Sequence, residues 1–325
     1  VGKLNYYIHS VEYYLPEKII TNKYLTEECG IDGDFLANKV GISERHIAGE
    51  GEPTSMLAAS AAQKLFDATG AAKEETGLIL LCTQHPDYRL PTTACIVQDK
   101  LKLPTTCMAF DVNLGCSGFV YSLSIAGNFI RTGMVKQALI IMADEYSSSI
   151  NYRDKNTASL FGDAGAAALL KPCEEGAGVI DCDFGTDGSG SMNLCVKNSG
   201  VARDPSDPGN LYMNGREIFR FSVTTVPASV RKVLERNGLS VGDIRYFVFH
   251  QANQYMLGEL KGLLGISDEQ MYIDMQETGN TVSASIPVAY RRLLAKTSLR
   301  EGDWIVFCGF GVGLSWGTVL YKYHS

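Results

Sequence analysis

Short apolar runs recur along the chain, each closed by a turn. In the first half they are Leu78-Ile79-Leu80-Leu81-Cys82, Met108-Ala109-Phe110-Asp111-Val112 and Ala138-Leu139-Ile140-Ile141-Met142-Ala143. In the second half they are Tyr246-Phe247-Val248-Phe249, Met271-Tyr272-Ile273-Asp274 and Trp304-Ile305-Val306-Phe307-Cys308. Continuous short runs predict strands buried on both faces, as in parallel sheets covered by helices. Helical spacing separates them. Phe119, Leu123, Ala126 and Ile130 fall at i, i+4, i+7 and i+11, and Ile286, Ala289, Tyr290, Leu293 and Leu294 form a second stripe. Gly133 fits the stop of the first helix, and Pro287 fits only near the start of the second.

The two series echo each other, so the chain is expected to be α/β and built from two similar halves, residues 1–172 and 173–325. The Gly, Asp and Ser rich stretch Asp181 to Asp207 has weak periodicity and reads as a surface connection between them. Strand-to-helix turns of such sheets gather ligands and reactive groups. The repeat puts Cys116 and Asn280 at corresponding turns.

Composition narrows the class without choosing a function. The 325 residues, 45% apolar and 20% charged, suffice for a large core. A net charge of −7 argues against a nucleic-acid binder. No apolar stretch approaches the roughly 18 to 20 residues of a membrane helix, so a cytoplasmic protein without a membrane partner is expected. The nine cysteines show no Cys-x-x-Cys pair and no matched histidine spacing, so neither a disulfide framework nor a metal site is expected.

Three polar residues could carry chemistry. Cys116, in Gly115-Cys116-Ser117-Gly118, stands where a helix should begin, and a helix N-terminus favours thiolate over thiol. Read alone, it fits a plain buried core cysteine better than a reactive one. His250 closes an apolar strand and, alone, fits a hydrogen-bonded structural histidine. Asn280 follows Gly279 and, alone, fits a turn residue.

Their surroundings decide more. Asn113-Leu114-Gly115-Cys116-Ser117-Gly118-Phe119, Phe161-Gly162-Asp163-Ala164-Gly165-Ala166-Ala167, His250-Gln251-Ala252-Asn253, Gly279-Asn280-Thr281 and Gly309-Phe310-Gly311-Val312-Gly313, in that order, resemble the signature of the β-ketoacyl-acyl carrier protein synthase III family of the thiolase superfamily. Gly41-Ile42-Ser43-Glu44-Arg45-His46 and Ser315-Trp316-Gly317 extend the likeness. The resemblance implies a five-layered αβαβα fold and a homodimer. It implies a decarboxylating condensation of an acyl-CoA primer with malonyl-acyl carrier protein or malonyl-CoA, without a metal or redox cofactor. Cys116 would be the nucleophile, His250 and Asn280 the donors to the malonyl carbonyl, and the backbone N–H groups of Cys116 and Val312 the oxyanion hole.

The likeness also assigns substrate contacts to Phe35, Lys39, Lys155, Arg216, Phe219 and Asn253, and puts Leu90 where an aromatic often closes the primer pocket across the dimer. Arg220 and Lys261 remain of a basic carrier-docking face on which relatives place arginine at the position of Tyr255. Rival readings are an acyltransferase that passes the acyl group to another acceptor without decarboxylation, and a non-catalytic scaffold. A degradative thiolase fits poorly: Cys308 falls one residue early for its second cysteine, and one residue on a strand reverses the side-chain direction.

Overall fold

The computed structural model describes residues 4–202 and 204–325. Its strands are β1 (Asn5–Tyr14), β2 (Thr76–Cys82), β3 (Met108–Val112), β4 (Gln137–Asp144), β5 (Ala164–Cys173), β6 (Gly178–Thr186), β7 (Tyr246–Phe249), β8 (Trp304–Gly311) and β9 (Ser315–Lys322). The long helices are α1 (Thr54–Thr69), α2 (Thr93–Leu101), α3 (Gly118–Arg131), α4 (Gly215–Arg236), α5 (Gln254–Leu264) and α6 (Ser285–Lys296). Small two-stranded pairings, Lys18–Thr21 with Glu44–Ile47 and Leu194–Cys195 with Tyr212–Met213, lie outside these sheets.

The first sheet runs β1-β5-β4-β2-β3 and the second β6-β9-β8-β7. The directions match as well. In each sheet the outer two pairings at the first end are antiparallel and the next is parallel. The counterpart of β3 in the second sheet shrinks to one parallel bridge, Phe247 with Met271. The run 271–274 therefore makes no strand. Asp274 is drawn off the ladder: its N–H goes to Gln251 Oε1 at 2.7 Å and its carboxylate to Arg292 and Lys296.

Alternation along the strands builds the layers. Leu78, Leu80 and Cys82 of β2, with Ile305 and Phe307 of β8, face α3 and α6 between the sheets. Ile79 and Leu81 face outward under α1 and α2. Val306, Cys308 and Phe310 face the opposite side, under α4 and α5. Helix, sheet, paired helices, sheet and helix are the five layers of a thiolase-like α/β fold. The predicted stripe of α3 is buried throughout, and Pro287 lies in the first turn of α6, where its missing N–H needs no partner. No helix among the described residues is long and apolar enough to cross a membrane.

The reading of Asp181 to Asp207 as surface connection needs correction. Residues 181–186 belong to β6, an edge strand of the second sheet. Cys182 and Phe184 pack into the central layer, while Asp183 turns to α4, where Lys232 pairs with it at 2.5 Å and Ser229 donates at 2.8 Å. Asp181 and Asp183, which helped to suggest a loop, lie on the partnered face of a strand, Asp181 paired with Arg236 at 3.0 Å.

Candidate active site

Cys116 sits in the turn between β3 and α3, one residue before the N-cap Ser117, and is nearly buried. Gly118 begins the helix against β2; an added Cβ there would fall 2.2 Å from Cys82 Sγ, so only glycine lets the helix start so close. Burial pushes the Cys116 thiol up to about 12, the Asp144 carboxylate adds to that push, and the residue's own backbone N–H opposes it. Burial thus favours the thiol, against the pull of the helix start toward thiolate. Asp144, itself buried and raised to about 7, accepts from Ser283 Oγ at 2.6 Å, Gln84 N at 2.7 Å and Thr83 Oγ1 at 3.2 Å.

His250 follows β7 and extends its ladder, donating its N–H to Cys308 O at 2.8 Å. Its Nδ1 lies 2.7 Å from Ser285 Oγ, and its ring meets Phe310 edge-on, 5.6 Å between centroids. Burial lowers its pKa to about 3, which keeps the imidazole neutral.

Asn280 comes from the second half but is held by the first. Its N–H donates to Leu160 O at 2.9 Å and its carbonyl accepts from Gly162 N at 3.1 Å. Its Oδ1 accepts from Val282 N at 3.0 Å, which leaves Nδ2 as the free donor. Val282 holds a left-handed backbone, φ 52°, a conformation that costs a β-branched residue about 1 to 3 kcal/mol. Asp163, of the motif following Phe161, stitches this region by accepting from Ala48 N, Tyr146 N and both donors of Ser147.

Cys116, His250, Asn280 and Asn253 line one cavity of about 70 Å³, walled by apolar side chains that include Phe161, Leu194, Ile218 and Phe310. The loop after β8 closes on the sulfur. A Cβ added at Gly311 would sit 3.1 Å from Cys116 Sγ, and Val312 turns its side chain toward Gly115. Ser315 Oγ donates to Val312 O at 2.7 Å and accepts from Ser117 Oγ at 2.7 Å, which pins that loop to the start of α3. Cys308 is elsewhere: it faces the outer layer and bonds Thr318 Oγ1 at 3.4 Å.

The other predicted contacts divide into groups. Lys155 Nζ lies 5.4 Å from the ring centre of Phe35, and Lys39 Nζ lies 5.0 Å from that of Tyr255, whose ring stacks on Phe219 at 5.4 Å. Arg216 is exposed and follows Gly215 of the cavity wall in sequence. Leu90 lies outside the cavity and is 87% exposed. Arg220 pairs with Glu217 at 2.6 Å and Lys261 pairs with Asp268, so both candidate docking cations have intramolecular partners. Sequence reasoning missed Ser285, Asp144 and Asp163 as supports. No periodicity marks them, since each acts through contacts distant in sequence. Among the described residues, no group of three His, Cys, Asp or Glu side chains is placed to hold a metal.

Residues 110–188 match the family described as 3-oxoacyl-[acyl-carrier-protein (ACP)] synthase III, and residues 234–323 match its C-terminal part. The chain is 35% identical over 317 residues to the beta-ketoacyl-[acyl-carrier-protein] synthase III of Caldanaerobacter subterraneus subsp. tengcongensis, covering 95% of each. It is 37% identical over 315 residues to the enzyme of the same name from Clostridium acetobutylicum, covering 95% of this chain and 96% of that one. A crystal structure of a 3-oxoacyl-(acyl-carrier-protein) synthase III superposes with a TM-score of 0.92 at 37% identity, covering 98% of this chain and 100% of that one. The Thermus thermophilus synthase III gives 0.91 at 33%, covering 98% and 99%. With identity at this level over nearly its whole length, this chain belongs to the β-ketoacyl-[acyl-carrier-protein] synthase III family of the thiolase superfamily.

Proposed function

We propose that the chain is an acyltransferase that condenses an acyl-CoA primer with a malonyl thioester in fatty acid biosynthesis, with loss of CO₂. The observation that carries this reading is the convergence of Cys116, His250 and Asn280 on one small, largely apolar cavity. Cys116 sulfur attacks the primer carbonyl, the oxyanion is held by the N–H groups of Cys116 and Val312, and coenzyme A leaves with the thiol proton. The malonyl thioester then takes its place. Its carbon–carboxylate bond breaks to release CO₂, and the electron pair enters an enolate whose oxygen accepts hydrogen bonds from His250 and Asn280. The enolate carbon attacks the acyl-cysteine, the thioester bond to Cys116 breaks, and the released sulfur takes a proton from solvent to return the thiol.

Phe35, Lys39, Lys155, Arg216, Phe219 and Asn253 are read as the path of the carrier's nucleotide and pantetheine. Relatives named for the acyl carrier protein support malonyl-carrier as the extender, while the internal pairing of Arg220 and Lys261 favours assaying malonyl-CoA beside it. A cytoplasmic homodimer, with Leu90 reaching the neighbouring primer pocket, belongs to the same reading. Incubation with acyl-CoAs and either malonyl donor, followed by intact-protein mass spectrometry and product analysis, tests it. The expected result is an acyl adduct on Cys116, then CO₂ and a β-keto product. Acyl transfer without CO₂ release overturns it.

A further inference from the structure

We propose that Ser285 is a positioning residue that fixes His250 as the Nε2–H tautomer, so that the imidazole always meets the cavity as a hydrogen-bond donor. This rests on the condensation described above, in which His250 serves the enolate oxygen.

Ser285 is the first residue of α6, and His250 directly follows β7, so the contact joins residues 35 apart in sequence. The two side chains are buried, and their Oγ and Nδ1 lie 2.7 Å apart. A hydroxyl and an imidazole nitrogen at that distance share one proton, and either could supply it. The surroundings decide which. Ser285 Oγ also accepts from the backbone N–H of Gln251 at 3.4 Å, and among the described residues these are its two partners. The hydroxyl hydrogen then has one acceptor, the lone pair of Nδ1. Were Nδ1 protonated, that hydrogen would be buried with no acceptor, an arrangement folded proteins avoid.

With Nδ1 accepting, the ring proton stands on Nε2. Because the buried ring stays neutral, tautomer rather than charge sets what the enolate meets. The opposite tautomer would turn a lone pair toward a developing anion. The amide of Asn280 is settled by the same logic, since Val282 N–H occupies its Oδ1 and leaves Nδ2. One segment, 280–285, thus orients both donors.

The test is ¹⁵N-histidine NMR on the full-length protein, with His250 signals assigned by their loss in H250N. The expected result is one-bond proton coupling on Nε2 and an unprotonated Nδ1 at neutral pH; a proton on Nδ1 overturns the proposal. Kinetics give a second arm. S285A should condense about 100-fold more slowly while Cys116 acylation stays within about 3-fold, and S285T should restore condensation to within about 3-fold of wild type. S285A at the wild-type rate, or S285T as slow as S285A, overturns it, and if S285A does not fold, the NMR result and S285T decide. Wild-type protein that shows the Nε2 proton but forms no β-keto product supports the tautomer while overturning the reaction.

Discussion

The turns at 113–118 and 278–285 occupy corresponding places in the two sheets, yet they deliver different chemistry by different means. The first is short and glycine-flanked: α3 starts two residues after Cys116, so the sulfur lies at the helix start. The second inserts a tight turn, Val282–Ala284, before α6 begins at Ser285. That insertion lifts Asn280 off the helix end and onto the backbone of Leu160 and Gly162 in the other half. A repeated scaffold supplies the address, and local departures from the repeat supply the function. The first turn buries a sulfur at a helix start; the second fixes the direction of a carboxamide.

Substitutions break this comparison in graded steps. C116A should abolish acyl-adduct formation and lower condensation by about 10⁴-fold or more, read by intact mass and product assay. An adduct on another cysteine would show that the first turn is not the sole reactive place. N280A should cost about 100- to 1000-fold in condensation while leaving the Cys116 adduct intact, since it removes one donor to the enolate. Equal loss of both steps would mean that the second turn merely supports the first.

Next in size comes a pH effect from His250. Its folded pKa is lowered to about 3, so below the unfolded value of about 6.5 the unfolded chain binds a proton the folded chain does not. Stability is full above that value and declines as pH falls, by about 2 kcal/mol between about pH 6.5 and 5. Urea titrations at the two pH values should show wild type losing that much more than H250N; matching losses would mean a charged ring in the folded state. C308A should do least. Because Cys308 faces the outer layer, condensation should stay within about 2-fold and stability should fall by only about 1 kcal/mol.

Much of the fold was legible because burial leaves a period. The stripes of α3 and α6 and the apolar runs of β2, β3, β4, β7 and β8 state their own environment. Residues 181–186 hid because their outward acid, Asp183, is matched by Lys232 and Ser229 nearly fifty residues later. Cys116, His250 and Asn280 were found as a set only through the order of their motifs, since each alone fits an ordinary structural residue. Ser285, Asp144 and Val282 could not be found at all. A serine, an aspartate and a valine carry no local mark of a tautomer, a buried carboxylate or a left-handed backbone.

The place of β1 has a bearing on how the protein is made. Its ladder partner is β5, so residues 5–14 wait for residues 164–173 before their backbone can pair. At about 5 to 20 residues per second, a ribosome takes roughly 8 to 30 seconds to bridge that gap. Throughout that interval Tyr6, Ile8 and Val11, later sealed against α3 and α6, have no finished sheet to join. Newly made chains should therefore depend on chaperones most while this first segment is still unpaired.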